Sequence, residues 1–352
     1  MCGIAGFVND MPIDVKCPVL QRMTDMIAHR GPDSEGHYID EHAALGHRRL
    51  SIIDLGGGQQ PIYNEDGSKV ITFNGEIYNY QTLREELIAA GHTFTTKSDT
   101  EVLLHGYEQW GVDLLQRVRG MFTFVIWDKN KQELFGARDH FGIKPFYYAK
   151  MNGTFMYASE IKSLLRHPDF VKELNAEALK PYMTFQYPAI GETFFKGVYK
   201  LPEGHYFTYR DGKMDIHRYY DEDFREGKQK LGELVNSIDQ TVCDSVKAHQ
   251  IADVEVGSFL SSGVDSSYVA AVARPQHTYS IGFGKGTYNE SQQAGELAEL
   301  LKLNNTAESL TDEEAFAAFP RIQWHLDEPD SNPSCVPLYF LSALAAKDVK
   351  VV

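Results

Sequence analysis

The chain has 352 residues, 43% hydrophobic and 24% charged, which excludes a disordered or fibrous protein and gives room for two domains rather than one. Its 34 Lys and Arg against 49 Asp and Glu leave a net charge of −15, which argues against non-specific binding of nucleic acid or of an acidic membrane, though not against a nucleotide in a local pocket. Cys2, Cys17, Cys243 and Cys335 have no paired spacing that would indicate zinc or a disulfide framework, and no signal peptide or bilayer-long apolar run is apparent, so a cytosolic protein is expected.

Cys2 follows the initiator methionine directly. Removal of Met1 would put a thiol and a free α-amine on one carbon, and an amine with a pKa of about 8 can serve as the base for that thiol. The apolar run Ile4-Ala5-Gly6-Phe7-Val8 reads as a buried strand that fixes the cysteine at its start; a structural cysteine opening a buried strand would look the same. A helical pattern through Val19, Met23, Met26 and Ile27 leads into the turn-rich His29-Arg30-Gly31-Pro32-Asp33. Short strands around 37–39 and 43–45 then reach Arg48-Arg49-Leu50-Ser51-Ile52-Ile53. Arginine at the edge of an apolar strand suits a carboxylate, although paired arginines are usually solvated charge.

Residues 70–73 read as another strand ending in Asn74-Gly75-Glu76, ahead of a helix capped by Asn79 and closed by Gly91. At a junction between strand and helix, the Asn74 amide and the Gly75 N–H can point at one spot, as an oxyanion hole requires. Ser98-Asp99-Thr100-Glu101 forms a capping-box pattern that puts Asp99 in a first helical turn, where complementing the helix dipole would be reason enough for it. Strand patterns at 121–127, 133–137, 146–149 and 155–158 imply antiparallel sheets with few helices.

Taken in order, Met1-Cys2-Gly3-Ile4-Ala5-Gly6, His29-Arg30-Gly31-Pro32-Asp33, Arg49-Leu50-Ser51-Ile52, Asn74-Gly75-Glu76-Ile77-Tyr78-Asn79 and Ser98-Asp99-Thr100-Glu101 resemble the class II glutamine amidotransferases, a branch of the N-terminal nucleophile hydrolases. The resemblance implies an αββα sandwich over residues 2–215. It also implies that Cys2 attacks the side-chain amide of glutamine and that Asn74 and Gly75 hold the oxyanion. Arg49, with Leu50, Ser51, Ile52 and Ile53 beside it, would take the glutamine α-carboxylate, and Glu76 and Asp99 its α-ammonium.

A charge-dense stretch, 216–230, reads as a linker. Beyond it, in 231–352, an amphipathic helix with Leu231, Leu234, Val235, Ile238, Val242 and Val246 on one face precedes a strand at 254–260. The loop Ser261-Ser262-Gly263-Val264-Asp265-Ser266-Ser267 then runs into a helix at 268–273, a strand at 278–283 and a helix capped by Asn289. A strand, small-residue loop and helix N-terminus suit a pyrophosphate, and Asp265 suits the Mg²⁺ of a nucleotide; an ordinary serine-capped helix has the same local sequence. The alternation implies a doubly wound α/β sheet, with Leu260 and Ile281 where a ligand would lie.

This half resembles the ATP pyrophosphatase domain of asparagine synthetases, whose loop usually reads Ser-Gly-Gly-x-Asp-Ser; here Ser262 replaces the first glycine. The resemblance implies ATP at Leu260, Ser261, Ser262, Gly263, Asp265, Ser266 and Ile281, Mg²⁺ at Asp265, and Glu328 as a carboxylate of the adenylate step. The chain ends where the family continues, so an N-terminal portion of a longer enzyme is expected. The expected function is glutamine-dependent asparagine synthesis from glutamine, aspartate and ATP, with no nucleic-acid or membrane partner; a homodimer is among the assemblies this allows. Two competitors are a related amidotransferase that amidates another carboxylate, such as one on a cell-envelope polymer or a natural product, and a glutamine-binding module without catalysis.

Overall fold

The computed structural model describes residues 1–187, 189–283 and 290–352. They form two compact units, Met1–Asp223 and Phe224–Val352. The first is built in chain order from β1 (Gly3–Val8), α1 (Ile13–Asp25), β2 (Ser34–Ile39), β3 (Ala43–Arg49), β4 (Ile62–Tyr63), β5 (Lys69–Ile77), α2 (Tyr80–Ala89), α3 (Asp99–Trp110), β6 (Gly120–Asp128), β7 (Glu133–Arg138), β8 (Tyr147–Met151), β9 (Thr154–Ala158), α4 (Ile161–Leu164), α5 (Leu179–Phe185), β10 (Val198–Lys200), β11 (His205–Arg210) and β12 (Lys213–Arg218). One six-stranded sheet runs β10-β8-β9-β1-β3-β2 and the other β12-β11-β7-β6-β5-β4.

Strand alternation decides what each sheet buries. Ile4, Leu45, Val70, Val125, Trp127, Tyr157 and Phe207 meet between the two sheets. Ala5 and Phe7, on the other side of β1, pack with Val19, Leu20 and Met23 of α1 and with Ile161 and Leu164 of α4. Phe73, Phe122 and Phe124 on the far side of the second sheet meet Leu83 and Leu87 of α2 and Val102, Leu103 and Leu104 of α3. Two sheets face to face with helices outside each make the αββα sandwich. Its central strands are hydrophobic on both faces because neither face sees water, and each large side chain so buried contributes about 1.5–3 kcal/mol.

Three local expectations give way to longer-range structure. Asn74-Gly75-Glu76 lies inside β5, which continues to Ile77, and not between a strand and a helix; pairing with β6 along all nine residues outweighs the turn preference of Asn-Gly. Asn79 stands at the start of α2, but its side chain gives no cap: it donates to Arg117 O (2.8 Å) and accepts from Arg119 N (2.9 Å). At the start of α3, Ser98 Oγ accepts from Thr100 N, whereas the buried Glu101 accepts from Thr95 N and Thr96 N (2.7 Å each), so no capping box closes. Strand β12 also runs to Arg218 and the unit to Asp223, past the boundary expected at 215.

The second unit contains α6 (Leu231–His249), β13 (Ser258–Phe259), α7 (Val264–Ala273), β14 (His277–Phe283), α8 (Ser291–Leu301), β15 (Asn304–Leu310), α9 (Asp312–Leu326) and α10 (Cys335–Ala345). Its strands are parallel in the order β13-β14-β15, and Val256 forms a parallel bridge to Val351. Leu260 packs with Ala270, Ala294 and Ala298 of α7 and α8, and Tyr279 packs with Leu344, Ala345 and Val349, so helices cover both faces as a doubly wound sheet requires. The strand expected at 254–260 is only two residues long, and the helix expected from 268 begins at Val264; the cap expected at Asn289 lies outside the described residues.

Candidate active site

The first unit opens a pocket where β1 begins, lined by Cys2, Arg49, Leu50, Ile52, Ile53, Asn74, Gly75, Glu76 and Asp99 among others. Ser51 does not line it: its N–H donates to Asp33 Oδ2 (2.9 Å), one of the ties by which the turn at 29–33 holds the end of β3. Asp33 N also donates to Arg49 O (3.0 Å). A Cβ on Gly31 would come within 2.2 Å of the Arg48 carbonyl carbon, so only glycine lets the turn pack this closely.

Cys2 is fixed from both sides. Its carbonyl accepts from Arg30 Nε (2.9 Å), and its Sγ meets Leu50 N at 3.4 Å and Leu50 O at 3.6 Å. Arg30 in turn donates through Nη1 to Glu160 (2.9 Å). Burial alone would raise the Glu160 carboxyl, but His29, Arg30 and Lys162 overrule it and hold it at about 2, so a buried charge cluster anchors the strand start. Burial pushes the Cys2 thiol up, and only the Leu50 contact and nearby positive charge oppose it. The α-amine of Met1 is lowered to about 6 by desolvation, against the raising effect of Cys2 and with Arg30 and Lys144 adding to the fall.

The floor of the pocket is the free edge of β5. Asn74 is 1% exposed, and both ends of its amide lack a hydrogen-bond partner. A buried unpaired amide is costly, about 1–3 kcal/mol for each group left unsatisfied. Phe73 N donates to Gln60 Oε1 (2.7 Å) and Ile77 N to Asp99 Oδ2 (2.9 Å), so these N–H groups point away from β6. Phe122, the β6 residue opposite Gly75, spends its own N–H and C=O on Asp139. By the two-residue alternation of a strand, the Gly75 N–H points to the same free edge, beside the Asn74 amide. Gly75 cannot be exchanged there, since a Cβ would lie 2.2 Å from Met121 O.

Charge is divided across the pocket. Arg49, 5% exposed, donates to the carbonyls of Ile53 (3.1 Å), Asp54 (2.7 Å) and Leu55 (3.5 Å) and has no carboxylate partner among the described residues. Three carbonyls orient the guanidinium without neutralising it. Opposite in sign are Glu76 and Asp99. Burial, then the Asp99 charge, raises Glu76 to about 7 against the pull of Lys144; burial raises Asp99 to about 6 against hydrogen bonds from Ile77 N and Ser98. Two desolvated carboxylates and an unneutralised guanidinium lining one pocket suit a zwitterion such as an α-amino acid.

Three lining residues carry no signal in the sequence, Gly58, Gln60 and Lys144, and Thr100 enters only as part of the motif around Asp99. Gln60 ties β5 to α3 by accepting from Phe73 N and donating to Thr100 Oγ1 (3.2 Å). Lys144 is 3% exposed, and burial lowers its ammonium pKa.

In the second unit a separate pocket is lined by Leu260, Ser261, Ser266 and Ile281, together with Phe283 and Glu290. Ser261 and Ser266 join by their hydroxyls (2.8 Å), and Gly263 N donates to Ser261 Oγ (3.1 Å), which curls the loop. Ser262 N donates to Glu290 Oε2 (3.3 Å), so the loop already presents an amide to an anion. Ser262, Gly263 and Asp265 are exposed beside the pocket, and Glu328 is buried but does not line it.

The model of the glutamine amidotransferase domain family matches residues 1–220, and that of the asparagine synthase family matches residues 237–352. Asparagine synthetase (glutamine-hydrolyzing) 1 of Bacillus subtilis is 43% identical over 359 residues, covering 100% of this chain and 57% of that protein. A Methanocaldococcus jannaschii protein, whose name marks its assignment as an asparagine synthetase as provisional, is 33% identical over 381 residues, covering 100% of this chain and 73% of its own. A solved structure described as the allosteric regulatory enzyme of purine biosynthesis is similar at 15% identity and a TM-score of 0.49, covering 88% of this chain and 80% of that one. The chain spans 57 to 58% of the length of the first curated relatives. With an amidotransferase domain followed by asparagine synthase sequence, the chain belongs to the glutamine-hydrolysing asparagine synthetase family.

Proposed function

We propose that the first unit, with the glutamine amidotransferase assigned to about 2–215, hydrolyses glutamine for asparagine synthesis, and that the second belongs to the ATP-using part of the same reaction. The observation that carries this reading is the buried, unpartnered Asn74 amide on the same free strand edge as Gly75, in one pocket with Cys2. Glutamine would lie with its α-carboxylate on Arg49 and its α-ammonium between Glu76 and Asp99, against Leu50, Ile52 and Ile53, while Ser51 supports the pocket from outside. With Met1 removed, the Cys2 amine takes the thiol proton and Sγ attacks the amide carbon. The oxyanion accepts from Asn74 Nδ2 and Gly75 N, and collapse expels ammonia carrying the transferred proton. Water, deprotonated by the same amine, then hydrolyses the thioester to glutamate.

For the second half, ATP is the substrate that adenylates the aspartate β-carboxylate; ammonia attacks the adenylate, and asparagine and AMP leave after pyrophosphate. The Ser261–Ser266 loop fits a polyphosphate because the Ser262 N–H already donates to the Glu290 carboxylate. Mg²⁺, when bound, would neutralise phosphate charge, and the exposed carboxylate of Asp265 in the first turn of α7 is placed to hold it. Glu328, buried, would be a carboxylate of the adenylate step. We place the protein in the cytoplasm, supported by four free cysteines and by the absence, among the described residues, of a helix long and apolar enough to cross a membrane.

The test is glutamate release from glutamine by this chain with Met1 absent by mass spectrometry, followed by aspartate-dependent pyrophosphate release by a protein of the relatives' full length beside a panel of other carboxylates. Pyrophosphate release with a different carboxylate only would move the acceptor away from aspartate.

Two further results are expected. Arg49→Lys should raise KM for glutamine about 10- to 100-fold with a smaller change in kcat, because an ammonium cannot grip a carboxylate with two parallel donors. An unchanged KM would remove Arg49 from the substrate. The second concerns pH. Glu76 and Asp99 titrate at about 7 and about 6, and only their charged forms attract an ammonium, so KM should climb as pH falls through this window. Glu76→Gln should flatten the upper part of that climb, and a KM independent of pH from 5 to 8 would contradict the assignment.

A further inference from the structure

On the outer side of the second sheet, away from the pocket, four potential metal ligands converge from three separate segments. Glu65 comes from the turn between β4 and β5, His92 from the loop after α2, and His105 and Glu108 from consecutive turns of α3. One donor atom of each lies within 4.8 Å of all the others. His92 Nδ1 is 3.4 Å from Glu65 Oε1 and 4.0 Å from Glu108 Oε2; His105 Nδ1 is 3.5 Å from Glu65 Oε2 and 3.1 Å from Glu108 Oε2. With metal–ligand bonds of about 2.1 Å, the ligand atoms of a tetrahedral site stand about 3.4 Å apart, which three of these pairs approach and to which the His92–Glu108 pair, at 4.0 Å, would draw in on binding.

The surroundings match as well. A ligating histidine normally turns its other ring nitrogen to an acceptor, which fixes the tautomer. His92 Nε2 faces Gln109 Oε1 at 3.3 Å, and His105 Nε2, which makes no hydrogen bond, has the Glu101 carboxylate as its nearest acceptor at 3.5 Å, leaving both Nδ1 atoms toward the cluster. The carboxylates are oriented too: Asn64 Nδ2 donates to Glu108 Oε1 (2.7 Å) and Thr93 N to Glu65 Oε1 (3.0 Å). Lys69 Nζ stands 3.6 Å from Glu108 Oε1, the oxygen that the cluster does not use.

We propose that Glu65, His92, His105 and Glu108 bind one divalent transition metal of the zinc class, which ties the β4–β5 turn and the loop after α2 to the helix that carries Asp99. Two imidazoles and two carboxylates favour zinc over magnesium or calcium, and the carboxylates balance its charge. The competing occupant is a proton. Burial disfavours it, but Glu101, Glu108 and Glu65 outweigh burial and hold the His105 ring at about 9. The site serves folding and has no part in the chemistry at Cys2.

The experiment is zinc titration of the 352-residue chain carrying Cys2→Ala, which removes the reactive thiol as a rival ligand, after exhaustive chelation. One equivalent should bind, Co²⁺ in its place should give the intense visible spectrum of a tetrahedral ion, and Tm should rise on the order of 5 °C at a hundredfold excess over Kd. Glu65→Gln and His92→Gln, both at the surface end of the cluster, should each weaken zinc at least about tenfold and abolish the Tm rise. The proposal is overturned if the parent binds no zinc, which leaves the proton as sole occupant, or if both variants bind zinc as the parent does, which puts the metal elsewhere.

Discussion

Replacing Cys2 by alanine should remove glutaminase activity entirely, a loss on the order of a million-fold in kcat by comparison with other enzymes deprived of their nucleophile. Nothing else in the pocket can substitute. No second cysteine lines it, and Lys144, although desolvated, carries the wrong chemistry for a thioester. The fold should survive, because Cys2 contributes its backbone carbonyl to Arg30 and alanine keeps that bond. In a protein of the relatives' full length, the same variant should still make asparagine from ammonium salts, since the proposed adenylation makes no use of the Cys2 thiol. Asparagine formation with each nitrogen source, measured for parent and variant, decides the matter. Equal loss with both sources would mean that the two activities are not separable, and retained glutamine-dependent synthesis would take Cys2 out of the mechanism.

Asn74→Ala should cost about 100- to 1000-fold in kcat with little change in KM, the usual effect of removing one oxyanion donor. Its effect on stability should go the other way from that of an ordinary buried substitution. The amide is desolvated and has no partner in the protein, so deleting it removes an existing penalty of about 1–3 kcal/mol for each unsatisfied group, against which stands a small cavity. Tm should therefore be unchanged or higher while turnover collapses, a trade that separates a catalytic from a structural asparagine. A lower Tm with proportionate loss of activity would show that Asn74 supports the strand instead.

Much of the site was legible because its parts come as short motifs, each held by local geometry. Cys2 opens a strand, the turn at 29–33 buttresses the end of β3 that carries Arg49, and Asp99 sits in the first turn of α3. The residues that escaped are single side chains whose meaning arises only on folding. Gln60 is noticed only because β5 and α3 meet across it, and Lys144 only because the loop after β7 returns to the chain start. The sequence misled where a local preference competed with a ladder. Asn-Gly reads as a turn, yet nine paired residues of β5 hold it extended, and the same extension is what aims the Gly75 N–H at the pocket. In the second unit the order of strands and helices was clear, but the apolar run at 254–260 forms a strand only at Ser258–Phe259, with Val256 bridging separately to Val351.

The free edge of β5 has a consequence beyond substrate binding. Strand β4 covers it only at Val70 and Ile71, so the stretch from Phe73 to Ile77 would otherwise be an open template for a strand from another molecule. Gln60 blocks one rung and Asp99 another, which leaves Gly75 too narrow an opening for a second chain to register on. The side chains that shape the pocket thus also close this edge to a second chain, and substitutions of Gln60 or Asp99 that free Phe73 or Ile77 should be expected to reduce solubility as well as activity.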